Sequence, residues 1–282
     1  MAVGKAPSRI ILRRYEMESK TITQKPEYGN WVSLGLIRKV FFIFLLFTVV
    51  DAALWAWLPG WLPLKITVTL LVLFTLTATI YFCFARYLFS PEGKDVQNQI
   101  TDLLLSRISW NGDGKALDIG CGSGALTIKI AKKYGNAHIT GVDYWDGSWG
   151  YSKKRCEENS RIEGVSSRTD FIKADASKLP FADHSFDAVV SNLTFHEVKS
   201  SRDKYVLIDE ALRVLKNGGC FVFQDLFLFR ACYPHLNEHI ELLRKSGIGN
   251  ITFLDTSKSL FIPRALKLPF MAGTIGILYG TK

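Results

Sequence analysis

The stretch that decides the fold is LDIGCGSG at residues 117–124, followed at once by ALTIKIAKKYG at 125–135. An apolar strand runs into three glycines and then into a helix. Gly120, Gly122 and Gly124 permit a tight turn and a close approach of backbone to a ligand, because no Cβ stands in the way. The N-terminus of the helix offers free N–H groups to a carboxylate or a phosphate. By itself the loop does not name its ligand. Gly120-x-Gly122-x-x-Ala125 also satisfies a dinucleotide fingerprint, with Asp143 about 20 residues further on for a ribose diol.

Working outward, DVQNQITDLLLSRI at 95–108 puts Val96, Ile100, Leu103, Leu104 and Ile108 on one helical face. The segments KALDI, HITGVD, TDFIKAD, FDAVVSN, CFVFQDLF, NITFLD and TIGILYG read as strands, most of them separated by helical patterns. Such βα alternation predicts an α/β fold with a parallel sheet covered on both faces.

The order of motifs narrows the ligand. Asp118 stands two residues before the first glycine; GVDYW follows at 141–145, ADASKLPF at 174–181, FDAVVSN at 186–192 and LRVLKNGG at 212–219. Over residues 95–282 this series resembles the class I S-adenosylmethionine-dependent methyltransferases, especially the branch that methylates small molecules and lipid quinones. The resemblance implies a Rossmann-like seven-stranded sheet with a reversed last hairpin, supplied by FLDTS and TIGILYGTK. It also implies roles for single residues. Asp118 and the glycine loop would hold the amino and carboxylate ends of the methionine moiety, and Asp143 would accept both ribose hydroxyls with Tyr144 beside it. Asp175 and Ala176 would border the adenine, and Ser191 and Asn192 would line the strand end near the sulfonium. Carboxylates suit a cationic cofactor, since they accept its ammonium and hydroxyl donors in charge-assisted hydrogen bonds. Asp118 and Asp175 are also residues that cap turns and helices. One departure from the family follows Asp143, where YWDGSWGYSKK replaces a short turn. That aromatic loop would shape a cofactor edge or rest on a lipid interface.

Methyl transfer from a sulfonium depends heavily on positioning, and a base is needed only where the acceptor must lose a proton. His196 and Glu197, in SNLTFHEV past the fourth strand, are the candidate catalytic residues, with His196 the candidate base; the alternative is a histidine that orients its loop. His235, Glu238 and His239 spell H-x-x-E-H, an inverted zinc-protease signature. Lying between two strands of the same sheet, with 43 residues following, it reads as an ordinary surface helix, and no metal is assigned. The apolar segment SLFIPRALKLPFMAG at 259–273 is a substrate lid, a membrane-contacting loop or a packed connection.

The N-terminal third differs in composition. Residues 40–90 carry only Asp51, Lys65 and Arg86 as charged side chains. Val40–Leu58 and Ile66–Ala85 are each about long enough to cross a hydrocarbon core of roughly 30 Å. Pro59, Gly60 and Pro63 break the chain between them, and Trp55, Trp57 and Trp61 cluster there as an interfacial belt would. The predicted organisation is a basic arm over 1–39, a transmembrane hairpin over 40–90 and a methyltransferase domain over 91–282. The alternative for the hairpin is the buried core of a soluble protein. Eight basic against three acidic residues over 1–39 point to anionic headgroups rather than nucleic acid. With only Lys65 near the turn, the positive-inside rule puts both termini and the catalytic domain in the cytoplasm. Asp51 falls mid-span, where it is protonated, paired with a threonine of the second helix, or functional. Cysteines 83, 121, 156, 220 and 232 form no CxxC pair, as expected in a reducing compartment, and no signal-peptide layout is present. The function expected is a membrane-tethered methyltransferase with S-adenosylmethionine as cofactor and a lipophilic acceptor. An NAD(P)-type oxidoreductase and a non-catalytic membrane scaffold or sensor are the alternatives, and protein partners are not legible.

Overall fold

The computed structural model describes residues 25–147 and 150–282. Most of the basic arm (1–24) and Ser148 and Trp149 of the aromatic loop lie outside the described residues.

Two long helices come first, α1 (Leu34–Trp57) and α2 (Leu62–Phe89). The Ser33 side chain accepts the Leu36 N–H at 3.1 Å and starts α1. A turn through Gly60, at φ +83°, leads into α2 with Pro63 in its first turn, where the missing N–H is harmless. Both helices outrun the apolar stretches expected for them. At 24 and 28 residues they measure about 36 and 42 Å, long enough and apolar enough to cross a membrane. No α1 side chain is buried, whereas α2 buries Lys65, Val68, Thr75, Ala85, Leu88 and Phe89. Asp51 is paired as one of the expected alternatives: Thr69 donates its hydroxyl to the carboxylate at 2.7 Å. It is less central than expected. α1 ends at Trp57, so Asp51 lies about 9 Å from the turn, near the Trp55 ring that covers Lys65.

After α3 (Val96–Ser106) the chain alternates: β1 (Lys115–Ile119), α4 (Ala125–Lys133), β2 (His138–Asp143), α5 (Lys153–Ile162), β3 (Thr169–Lys173), β4 (Phe186–Asn192), α6 (Tyr205–Val214), β5 (Leu215–Asp225), α7 (Leu236–Lys245), β6 (Asn250–Asp255) and β7 (Gly276–Thr281). The seven strands lie in the order β3-β2-β1-β4-β5-β7-β6, with β7 antiparallel to both its neighbours and the pairs among β1 to β5 parallel. The reversed last hairpin is therefore present. Because successive strand residues point to opposite faces, Leu117, Ile119, Val189, Phe221 and Phe223 pack under Leu207, Ile208 and Ala211 of α6. Ala116, Ile139, Ala188, Val190 and Val222 pack under Leu104 of α3 and Leu126 and Ile130 of α4. Each such burial is worth about 1.5–3 kcal/mol for a large aliphatic or aromatic side chain.

A third apolar cluster joins the hairpin to the domain. Ala85, Leu88 and Phe89 of α2 meet Ile262, Leu266, Ala272 and Ile275 of the segment before β7, together with Val32. The boundary expected at residue 39 is thus displaced: 25–33 is a strap lying on the α/β domain, and the first helix begins at Leu34. Asn159, buried on α5, holds the strap, accepting from Glu27 N at 2.9 Å and donating to the Glu27 and Ser123 carbonyls, both at 2.9 Å. Ser123 of the glycine loop donates to the Tyr28 carbonyl at 2.9 Å. Asn159→Ala removes three bonds and is expected to destabilise the strap by about 2–3 kcal/mol. Chymotrypsin should then cut at Tyr28 and Trp31 markedly faster than in the wild-type chain, with the core of the domain left intact on the gel.

Candidate active site

The order of strands reverses at β1, whose neighbours β2 and β4 carry the chain off in opposite directions. In open α/β sheets a ligand crevice lies there, beyond the carboxyl ends of the strands. A cavity of about 640 Å³ occupies that place, within the range of small-molecule sites.

The glycine loop forms its floor. Gly120 N and Cys121 N both donate to the Val142 carbonyl, at 2.7 and 3.0 Å, which folds the loop back over the end of β2. Gly120 has φ +76°, and a Cβ there would lie 1.9 Å from the Thr194 hydroxyl, so only glycine fits. Asp143, the last residue of β2, clamps the loop from the other side. One carboxylate oxygen accepts from Gly122 N at 2.9 Å and the other from Trp145 N at 2.8 Å. Burial raises its pKa against the pull of these amides. Tyr144 is exposed at the rim, with the Lys173 ammonium 5.1 Å from its ring centre.

Asp118 is 1% exposed. Thr127 of α4 donates to one of its oxygens at 2.6 Å, and the other oxygen is buried with no partner. Burial pushes its pKa up to about 7, although Thr127 opposes this. An orphaned carboxylate oxygen on a cavity wall fits a cationic donor such as an ammonium.

Asp175 and Ala176 line the next edge. Asp175 caps its own turn, accepting from the Ser177 N–H and hydroxyl at 2.8 Å each and from the Ser200 hydroxyl at 2.9 Å. Burial works against its charge, but these donors outweigh it and hold the pKa low. Asn192 faces the cavity and accepts from the Gln224 amide at 2.8 Å. Ser191 does not line it. Its neighbour in the strand points the other way, and the Ser191 hydroxyl is buried, donating to the Ile119 carbonyl at 2.9 Å.

Past β4, His196 lines the cavity and pairs through Nδ1 with the fully buried Asp225 carboxylate at 2.6 Å; the same carboxylate accepts the His196 N–H at 3.2 Å. Glu197 stands 3.5 Å from Nε2. Burial disfavours the imidazolium, but the charge and hydrogen bond of Asp225, aided by Glu197, overcome that and raise the pKa to about 10. A pKa raised in this way favours the protonated, hydrogen-bond-donating form of His196 at neutral pH, and the pairing with Asp225 orients its ring.

A methyltransferase-domain family profile matches residues 117–223, from β1 to β5. An uncharacterised protein of Haemophilus influenzae is 33% identical over 195 residues, covering 62% of this chain and 73% of that one. The chain belongs to the S-adenosylmethionine-dependent methyltransferases. The Arabidopsis thaliana cycloartenol-C-24-methyltransferase is 35% identical over 137 residues, which is 48% of this chain and 38% of the plant protein; this chain therefore spans well under half of that relative's length. Among solved structures, the geranyl diphosphate C-methyltransferase of Streptomyces coelicolor, bound to S-adenosyl-L-homocysteine, shares the fold at a TM-score of 0.51 and 15% identity, covering 66% of this chain and 79% of its own.

In this methyltransferase the structure brings Asp118, Gly120, Gly122, Asp143, Tyr144, Asp175, Ala176, Asn192, His196 and Glu197 to one cavity. Gly124 caps α4 behind them at φ +84°. The H-x-x-E-H residues do not converge: His235 precedes α7 and pairs with Glu238 at 3.0 Å, while His239 stacks on Tyr205 at 4.0 Å. Sequence reasoning missed Asp225, although an acid ending the apolar strand CFVFQD at the carboxyl edge of the sheet is itself a signal. It also missed Tyr28, Trp31 and Phe89, which line the cavity from the strap and the hairpin; no local pattern marks them.

Because the folded pKa of His196 lies above its ordinary 6.5, its stabilising contribution is complete below about pH 6.5 and is lost as pH rises through about 10. In histidine-labelled protein, NMR should show the His196 ring protonated at pH 8. Asp225→Asn removes the compensating charge and should bring its titration below pH 7; an unchanged titration would refute the pairing.

Proposed function

We infer that this chain transfers a methyl group from S-adenosylmethionine to a lipophilic, membrane-associated acceptor at the cytoplasmic face of the bilayer that its hairpin spans. The observation that carries this reading is the two-sided lining of a single cavity. One side is polar, made by Asp118, the glycine loop, Asp143 and Asp175; the other is apolar, made by Trp31, Phe89, Phe270 and Met271 from the base of the hairpin and the segment packed on it. A membrane helix end is thus a wall of the reaction chamber. The likeness to a cycloartenol-C-24-methyltransferase supports an apolar acceptor, and Arg38, Lys39, Arg86 and Lys94 at the hairpin base support a cytoplasmic domain.

Bound, S-adenosylmethionine supplies a methyl group on a cationic sulfur, ready for in-line displacement. The residues divide the work of holding it. The free oxygen of Asp118 would take the ammonium, and the N–H groups at the start of α4 would take the carboxylate. Asp143 has lone pairs left after its two amide bonds and takes the ribose hydroxyls beside Tyr144, while Asp175 and Ala176 border the adenine. Asn192 stands at the strand end toward the reacting centre. His196, held by Asp225, would donate a charged hydrogen bond to a polar group of the acceptor and orient it toward the methyl group; Glu197 offsets the positive charge. Positioning of the acceptor against the apolar wall supplies the remainder of the rate.

Asp118 sets a pH dependence. Its folded pKa is raised to about 7 from 3.8, so its contribution to the stability of the ligand-free protein is complete below about pH 3.8 and is lost as pH rises through about 7. Binding an ammonium needs the ionised form. Calorimetry on the full chain in nanodiscs should show S-adenosylhomocysteine binding tighten by up to about tenfold per pH unit below pH 7 and level off above it. Asp118→Asn should weaken binding and flatten the slope. Absence of binding by the wild type, with NAD bound instead, would sink the assignment. For the acceptor, lipid extracts from cells with wild-type protein should contain a species one methylene heavier that is lost with Asp143→Ala; no such species in any lipid class would exclude a lipid acceptor.

A further inference from the structure

The segment between β6 and β7 is apolar on two sides. Its inward side chains, among them Ile262 and Leu266, cover the end of α2. Its outward side chains have no protein over them: Leu260 is 100% exposed and Phe270 65%, with Leu268 also exposed. The loop after β5 adjoins it, as Leu228 N donates to the Thr274 carbonyl at 3.0 Å, and adds exposed Leu228 and Phe229 to the same patch. From Thr256 to the end of the chain there is no acidic residue, while Arg264 and Lys267 lie within the segment and Arg230 follows Phe229.

Its height along the hairpin is set by one residue. Tyr81 of α2 donates its hydroxyl to the Ala265 carbonyl at 2.9 Å, and its ring lies 6.1 Å from that of Phe270. The path from Trp61 at the turn to Tyr81 is about 30 Å at 1.5 Å per residue, the thickness of a hydrocarbon core. With the turn tryptophans at the far headgroups, Ala265 and Phe270 stand at the near boundary between headgroups and acyl chains. Phe270 and Met271 are also walls of the cavity.

We propose that residues 259–271 form a collar embedded in the near leaflet, with Leu260, Leu268 and Phe270 in the acyl boundary and Arg264 and Lys267 on anionic headgroups, so that the cavity opens onto lipid rather than water. This rests on the membrane-spanning reading of the hairpin. Apolar side chains flanked by cations are the pattern of an interfacial element, and two anchoring signals bind a bilayer more firmly than one. Phe270 both reaches outward from the collar and borders the cavity, so an amphiphile sliding from the leaflet meets it at the entrance.

The full chain, reconstituted in phosphatidylcholine vesicles with and without phosphatidylglycerol, tests this with a nitrobenzoxadiazole probe at one cysteine at a time. Cys83, exposed on α2, reports the hairpin; Leu260→Cys in a Cys83→Ser, Cys232→Ser background reports the collar. Asn217→Cys, exposed at the opposite end of the sheet, reports water. The collar probe should emit to the blue of the Asn217 probe and be quenched roughly twofold by shallow nitroxide lipids. Arg264→Glu with Lys267→Glu should reduce that quenching in the phosphatidylglycerol vesicles. A Leu260 probe that behaves like the Asn217 probe while Cys83 is quenched overturns the collar and leaves the hairpin standing. If Cys83 is unquenched as well, the membrane reading fails and the collar with it.

Discussion

The carboxylate of Asp143 ties two parts of the chain that the cavity cannot do without. Its oxygens hold the N–H of Gly122 and of Trp145, so the end of β2 fixes both the glycine loop and the start of the loop that follows. The loop's path then determines where α4 begins, and α4 supplies Thr127 to Asp118. Removing that one carboxylate would free two amides and loosen the floor of the cavity before any ligand was considered. The polar half of the site is therefore a chain of dependencies running from one strand end, which is economical but brittle.

The opposite half is built differently. Its shape comes from apolar packing between the end of α2, the strap and the segment before β7, pinned by a few hydrogen bonds such as Tyr81 to the Ala265 carbonyl and Arg86 to the Val32 carbonyl. The strap links the halves, since Ser123 of the glycine loop and Asn159 of α5 both hold it and it leads into α1 after a few residues. A displacement of the hairpin would thus be felt at the glycine loop through hydrogen bonds and at the apolar wall through packing.

His196 and Asp225 show how tertiary context changes a residue's chemistry. A histidine at a strand end suggests a base near neutrality. Placed against a fully buried carboxylate, the same ring holds its proton far above that range, because burial alone would expel the charge but burial beside an anion retains it. Asp225 is 29 residues away in sequence, so nothing local to His196 announces the pairing.

The sequence by itself determined the alternation of strands and helices, the glycine turn and the two apolar helices, because each follows from periodicity, glycine content or length within a short window; the reversed last strand came only from the family resemblance. It also picked out Asp118, Asp143 and Asp175, whose motifs are local, and offered the Asp51–threonine pairing because two adjacent helices leave few partners. Tertiary structure alone decided that Ser191 faces the core rather than the cavity, since strand register sets which face a side chain takes. It alone decided the charge state of His196, and it alone made residues 25–33 a strap and brought Trp31, Phe89 and Phe270 together as one wall. Those contacts join residues up to about 240 positions apart, and packing at that separation leaves no mark on the local pattern that a sequence can display.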